Sequence, residues 1–334
     1  MNPLEDVIDW ITGLRSTGYT SDLLRTTHGF TDNARIKTVA SQIATTAGNS
    51  VGLFEQAYSG PPEVSFLPLY YALLNLSKVS ILASGFDVEL ARQKRHGSSY
   101  DPARKSSRDL INEKFEIWPS GVFPLFVRAI TGRIIPRRFT ISNSEIYPFV
   151  PGIGHEFGHA YEMPPILQGI SIELRINANK MYCLFAVLAE SSHPNALNLR
   201  SHRVLRGFES IERKRNEFQS RLVLPSTIPE DEAMLQLARD FPRYLLYQDT
   251  NILGELITAT PISSKRELFP PEAYIWLAFF HLSSVVRYKP EFLEQLMDSK
   301  TWPTLLALTK HSVLEFIVMF WSFIRRANYH IIVR

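Results

Sequence analysis

The stretch His155-Glu156-Phe157-Gly158-His159 has the residue types and spacing of zinc chemistry. On a helix, residues i and i+4 share a face, so His155 and His159 could converge on one metal while Glu156 activates the bound water. Zinc would bring the pKa of that water down to about 7. The flanking sequence leaves the motif little room. Pro148, Pro151, Gly152 and Gly154 precede it and Pro164-Pro165 follow, which predicts a helix of no more than about three turns. A third protein ligand is also needed. Glu173, Glu190 and His193 are the nearest downstream candidates, and none lies in a recognisable third-ligand motif.

A second concentration of chemically capable side chains runs from Arg203 to Arg221. Arg203, Arg206, Arg213, Lys214 and Arg215 could engage nucleic-acid phosphates. The weak apolar stripe of Val204, Phe208, Ile211 and Phe218 predicts a helix there, for which a solvated charged face is the competing reading.

The elements that must position these groups follow from hydrophobic periodicity. Asn2, Pro3, Glu5 and Asp6 suit a helix start at the N-terminus. Ile36, Val39, Ile43, Ala47, Val51 and Phe54 recur at helical spacing over residues 31–58, with Gly48 as a point where the helix could bend or break. Gly60-Pro61-Pro62 ends that segment, and a second apolar helix follows over residues 66–85, capped by Gly85. A polar loop over 92–105 leads to a short helix over 107–115, after which residues 115–148 read as strands or irregular structure. Ile170, Ile172, Leu174 and Ile176 alternate with polar residues and predict a strand, paired with Met181–Leu188 across a turn at residues 177–180. Helices near 271–288, 291–297 and 312–327 close the chain.

The fold class expected is mainly α (α+β), with helical N- and C-terminal regions packed together and a small central antiparallel sheet. Three regions divide the chain: helical residues 1–115, a mixed middle over 116–265, and helical residues 266–334 packing on the first. A net charge of +3 does not describe a protein that coats nucleic acid through bulk charge, although a local basic patch is compatible with it. The single cysteine, Cys183, sits in an apolar run and suits a buried role in a reducing, cytoplasmic setting. The apolar runs over 274–286 and 313–324 are shorter than the roughly 20 residues a bilayer requires, so no membrane association is expected.

Four segments carry a family resemblance. The run Pro68-Leu69-Tyr70-Tyr71-Ala72-Leu73-Leu74-Asn75-Leu76-Ser77-Lys78, then His96-Gly97, then Pro119-Ser120-Gly121-Val122-Phe123, resembles the YaaC-like family of bacterial proteins. Residues 278–290, from Ala278 to Pro290, look like the C-terminal helical region of that family. The family has no established biochemical activity, so the resemblance implies a fold and a bacterial or archaeal cytoplasmic setting and assigns no catalytic residue.

The Tyr-Tyr-Ala-Leu-Leu helix with Lys78 also resembles a core helix of HEPN domains. That likeness implies a ribonuclease site built on an Arg-x4-6-His pair, in which histidine handles a 2'-hydroxyl proton and arginine steadies phosphate charge. Arg92 and His96 are separated by one residue too few, whereas Arg325 and His330 have the spacing at the extreme C-terminus. Structural roles compete: Lys78 can snorkel, His96-Gly97 can form a turn, and Arg287 and Tyr288 can cap a helix.

Three functional classes follow. The first is a nucleic-acid-associated protein with a HEPN-like ribonuclease site at Lys78, Arg92 and His96, which takes RNA or DNA as partner and needs no cofactor. The second is a zinc hydrolase on His155, Glu156 and His159. The third is a protein-interaction subunit or homo-oligomer that uses the tyrosine-rich helix and the aromatic helix around Phe316 to Phe323.

Overall fold

A computed structural model of the chain describes residues 3–100, 109–163, 167–189, 202, 205–212, 214–237, 247–250, 256–261 and 269–327. They fall into two units, Met1–Tyr161 with Glu272–Arg334, and Glu162–Pro271. The architecture is mainly helical with antiparallel strands, as the sequence predicts.

The first unit opens with α1 (Pro3–Gly13) and α2 (Thr17–Thr26), and Glu5 and Asp6 lie at the positive end of the α1 dipole. In α3 (Asn33–Ser59), the Asp32 carboxylate accepts from the backbone N–H of Ala34 and Arg35, and the predicted apolar stripe is the buried face. The helix continues unbroken through Gly48. Burying a large apolar side chain is worth roughly 1.5–3 kcal/mol and the stripe has several, against about 1 kcal/mol for a helical glycine. α4 (Pro62–Ala83) starts one turn earlier than the periodicity suggests, with Pro62 in its first turn. It is buried on almost every side, Tyr70, Leu74, Ser77 and Ile81 as well as the predicted Leu69, Leu73, Leu76 and Ser80.

α5 (Asp87–Ala91) leads to a three-stranded antiparallel sheet of β1 (Ser98–Ser99), β2 (Lys114–Ile117) and β3 (Phe139–Ser142). Two expectations are corrected here. The helix predicted over 107–115 is, where described, a single 3-10 turn at Leu110–Asn112 followed by β2. Residues 115–148 contain the helix α6 (Val122–Thr131) between β2 and β3. Its residues 122–127 are all buried, so the sequence shows an unbroken apolar run with no helical period. α7 (Gly154–Ala160) completes this part and carries the histidine pair.

The second unit holds a six-stranded antiparallel sheet in the order β6-β7-β5-β4-β9-β8, with α8 (Glu230–Leu237). β4 (Leu167–Ile176) and β5 (Met181–Leu188) form the predicted hairpin, with Ile176 opposite Tyr182. Asn177 closes its turn by accepting from the N–H groups of Asn179 and Met181, and Cys183 is buried as expected. The helix predicted from Arg203 is overturned. The described residues there form β6 (Phe208–Ser210) and β7 (Glu217–Pro225), and β7 pairs with β5. Phe218 and Ser220 are buried at a spacing of two, the period of a strand, and β5 needs a partner on its second edge. β8 (Tyr247–Thr250) and β9 (Leu256–Pro261) complete the sheet.

α9 (Pro271–Tyr288) and α10 (Pro290–Met297) return the chain to the first unit. α11 (Trp302–Ala307) then continues through a π-helical turn at Leu308–Ser312 into α12 (Val313–Arg325). The carbonyl of Thr309 in that turn accepts from the Tyr58 hydroxyl at 2.7 Å, and Ser312 Oγ donates to the Pro151 carbonyl at 2.6 Å. Trp10 of α1 stacks on Trp321 of α12 at 6.1 Å, so N- and C-terminal helices pack together as predicted. The helix from Trp302 to Arg325 is longer than the sequence run suggests. It and α4 are both long and apolar enough to cross a membrane, and 61% and 72% of their apolar windows are buried within the protein. Phe316 and Phe320 belong to that buried surface.

Candidate functional site

The four segments that carry the family resemblance converge on one place in the first unit. The loop at residues 95–97 lies against the start of α6: the N–H groups of Val122 and Phe123 donate to the carbonyls of Arg95 and His96 at 3.0 and 2.7 Å. Two glycines make this approach feasible. Gly97 has φ +92 and Gly121 φ +125, and a Cβ on Gly121 would stand 2.4 Å from the Gly97 Cα. Any side chain at either position would force the two segments apart.

This clamp sets His96 against α4. The Tyr70 hydroxyl lies 2.5 Å from His96 Nδ1, the two rings stack at 5.8 Å, and Tyr71 meets the imidazole edge-on at 6.3 Å. Beneath them Tyr70 packs edge-on against Trp276 of α9 at 5.3 Å, and Trp276 contacts Phe123 of α6 at 5.0 Å. Aromatic burial therefore ties α4, α6 and α9 together under the histidine.

Two cations act on His96 through their charge. Lys78 lies two turns along α4 from Tyr70, half-buried, with the Asn75 side chain 3.5 Å away. Burial holds its amine below the usual lysine value. Arg287 ends α9, its Nε donating to the Ser283 carbonyl and its guanidinium stacked over the Tyr288 ring at 5.0 Å. His96 is lowered from its ordinary value first by burial and then by the charges of Lys78 and Arg287, so it is neutral near pH 7. Among the described residues no carboxylate contributes to the shift of either Lys78 or His96, and Lys78, His96 and Arg287 form no ion pair. Arg287 is exposed and Lys78 half-buried, so both charges stay open to solvent and to an incoming anion.

The end of α9 is anchored separately. Lys289 pairs with Glu113 at 3.3 Å, both nearly buried, and Tyr100 donates to the same carboxylate oxygen at 2.5 Å. Near it the buried His281 imidazole has the Tyr147 hydroxyl and the Asn143 amide nitrogen each at 3.3 Å. Burial drives the His281 pKa down to about 3.

The residues expected from sequence are distributed unevenly. Lys78 and His96 come together, while Arg92 ends α5 with an exposed side chain that contacts neither. The arginine that does join is Arg287, to which the sequence assigns a plain helix-capping role. Its one signal is its place inside a resemblance segment. Arg325 donates to the Tyr19 hydroxyl at 2.9 Å, and His330 lies outside the described residues.

His155 and His159 do share an exposed face of α7, with ring centroids 6.1 Å apart, and Glu156 is exposed beside them. The helix exists to bury Phe157, which stacks on Tyr147 at 4.8 Å. Among the described residues no group of three His, Cys, Asp or Glu could hold a metal ion. Glu173 is ion-paired with Arg175 in the second unit, and Glu190 and His193 lie outside the described residues. Of the basic run, Lys214 pairs with Glu217 at 2.6 Å, Arg206 and Arg215 are exposed, and Arg203 and Arg213 are outside the described residues.

Fold and site together define a mainly helical protein with a cationic cluster built on a histidine, without a carboxylate partner among the described residues. The chain belongs to the family described as YaaC-like Protein, which matches residues 13–324. No curated protein and no solved structure matches it.

Proposed function

We propose that this chain is a nucleic-acid-associated protein that holds RNA phosphate at Lys78, His96 and Arg287. The observation that carries the reading is a neutral histidine under the charge of two cations, with no acidic partner for the three among the described residues. Phosphate oxygens supply the missing counter-charge and accept from all three side chains. The finer version is a HEPN-like ribonuclease site, in which Arg287 takes the place that the sequence offers to Arg92. Cleavage of that kind has the 2'-oxygen attack phosphorus and the bond to the 5'-oxygen break, leaving a 2',3'-cyclic phosphate and a 5'-hydroxyl. It requires a ring nitrogen of His96 free to take the 2'-hydroxyl proton and to pass it, directly or through water, to the leaving 5'-oxygen.

Fluorescence anisotropy with single-stranded and structured RNA over a salt series tests the reading. Joint replacement Lys78→Ala and Arg287→Ala is expected to weaken binding at least ~10-fold and to reduce the salt slope by about 0.7 for each phosphate that is no longer neutralised. Unchanged affinity in that variant, or binding insensitive to salt, would overturn it.

A further inference from the structure

The chemistry open to His96 depends on where its ring proton resides, and Tyr70 controls that. The Tyr70 phenol is fully buried, and its hydroxyl has His96 Nδ1 as its hydrogen-bond partner, with no other among the described residues. Burial keeps the phenol protonated. Two arrangements can share this contact. With the ring proton on Nδ1, that N–H donates to the phenol oxygen and the phenol's own proton is buried without an acceptor among the described residues. With the phenol donating, Nδ1 accepts through its lone pair and the ring proton sits on Nε2. An unmet buried donor is rare in native structures and strongly disfavoured, so the second arrangement prevails. The imidazolium is disfavoured separately by burial and then by the charges of Lys78 and Arg287.

We infer that Tyr70 holds His96 as the Nε2–H tautomer, making Lys78, His96 and Arg287 a three-donor site for the terminal phosphate monoester of a nucleotide or RNA end. The inference rests on the reading of the cluster as a nucleic-acid phosphate site, and it moves that reading from cutting a strand towards capturing its end. A neutral Nε2–H imidazole donates a hydrogen bond and has no lone pair free to take a 2'-hydroxyl proton. A terminal monoester carries up to two charges and three unesterified oxygens, which matches three donors of which two are cationic. A phosphodiester within a strand has one charge and two such oxygens. Tyr288, 52% exposed beneath the Arg287 guanidinium, adds an aromatic face on which a base can stack and favours a nucleotide over free phosphate. Tyr70 is then a positioning residue, acting on the ligand only through His96.

Two measurements decide the matter. Long-range proton–nitrogen correlation spectra of 15N-histidine protein, with the His96 signals identified by their loss in His96→Asn, report the tautomer directly. The expected result is a protonated Nε2 and a bare Nδ1 in the wild type, and a tautomer mixture in Tyr70→Phe. A protonated Nδ1 in the wild type, or an unchanged ring in Tyr70→Phe, would overturn the assignment. The wild-type spectrum decides even where Tyr70→Phe fails to fold.

Calorimetry with AMP, its 5'-methyl ester and inorganic phosphate tests the ligand class. AMP is expected to bind at least ~10-fold more tightly than the methyl ester, with inorganic phosphate weaker than AMP, and Tyr70→Phe should narrow the ratio of AMP to ester. Equal binding of AMP and its ester sinks the inference. RNA of one sequence with a 5'-phosphate or a 5'-hydroxyl separates the two claims. Binding indifferent to the end refutes capture of the end and leaves RNA association standing. Failure of both RNAs, with AMP still preferred over its ester, removes RNA as the partner and leaves the monoester site.

Discussion

His96 and the pair His155 and His159 belong to the same helical unit, and they differ in what holds them. The α7 pair is arranged by seven residues of local helix, anchored by Phe157 and open to solvent. His96 is arranged by a turn that packs on α6, a tyrosine from α4 and the charges of α4 and α9. A spacing satisfied within one short helix recurs cheaply among sequences, whereas a site assembled from remote segments exists only when the whole core forms. The sequence advertises the first and hides the second.

The sharpest way to break this contrast is to loosen α9 where it delivers Arg287. Glu113→Gln leaves the Lys289 charge nearly buried and unneutralised, and a stability loss of about 3–5 kcal/mol is expected by denaturant titration. A loss below about 1 kcal/mol would mean that the anchor is not what sets the end of the helix.

His281, on the same helix, gives a pH signature. Its folded pKa of about 3 lies below the ordinary 6.5, so the unfolded chain binds the proton first. Stability is therefore complete above about pH 6.5 and falls as pH drops toward 3, by up to about 1.4 kcal/mol per unit from this group. Denaturation midpoints measured across that window should slope less steeply in His281→Gln than in the wild type, and equal slopes would contradict the burial.

Gly97→Ala comes next. The added Cβ would stand 2.4 Å from the Pro124 side chain at a φ that alanine resists, and a cost of roughly 2–3 kcal/mol is expected. Thermal unfolding reports it, and a matching loss of RNA affinity would show that the clamp positions His96. The smallest effect belongs to the other histidines. His155→Ala with His159→Ala should change stability by no more than about 0.5 kcal/mol and leave RNA binding intact, as exposed side chains do. A larger fall in either would give the α7 pair a role that its surroundings do not supply.

Much of the fold is legible wherever one face is buried and the other is wet. The stripe of α3 and the alternation of β4 state their periods openly, and Asn177 marks the hairpin turn through its own side-chain bonds. Periodicity fails at both extremes. α6 buries residues 122–127 in succession and has no wet face to reveal its period, so its sequence reads as irregular. β7 carries charge on its exposed side next to the basic residues 213–215, and the mixture imitates a solvated helix. For the site, Lys78 and His96 are visible because a resemblance draws attention to them. Arg287 is not, because no local spacing ties residue 287 to residue 96 and a plain capping role already accounts for it. Tyr70 is hidden too, since a tyrosine on an apolar helix reads as core until its hydroxyl finds a partner.

The π-helical turn at Leu308–Ser312 adds one residue to what would otherwise be a uniform helix from Trp302 to Arg325. Each residue of an α-helix advances by about 100°, so the extra one rotates everything beyond it by that angle. The turn therefore works as a phase shifter. Before it, Thr304 and Leu305 are set for one neighbourhood; after it, Phe316, Phe320 and Trp321 are re-aimed at another, Trp321 meeting Trp10. A single inserted codon is enough to make such a change, and the Tyr58 and Ser312 hydrogen bonds at the turn are what make the new phase permanent.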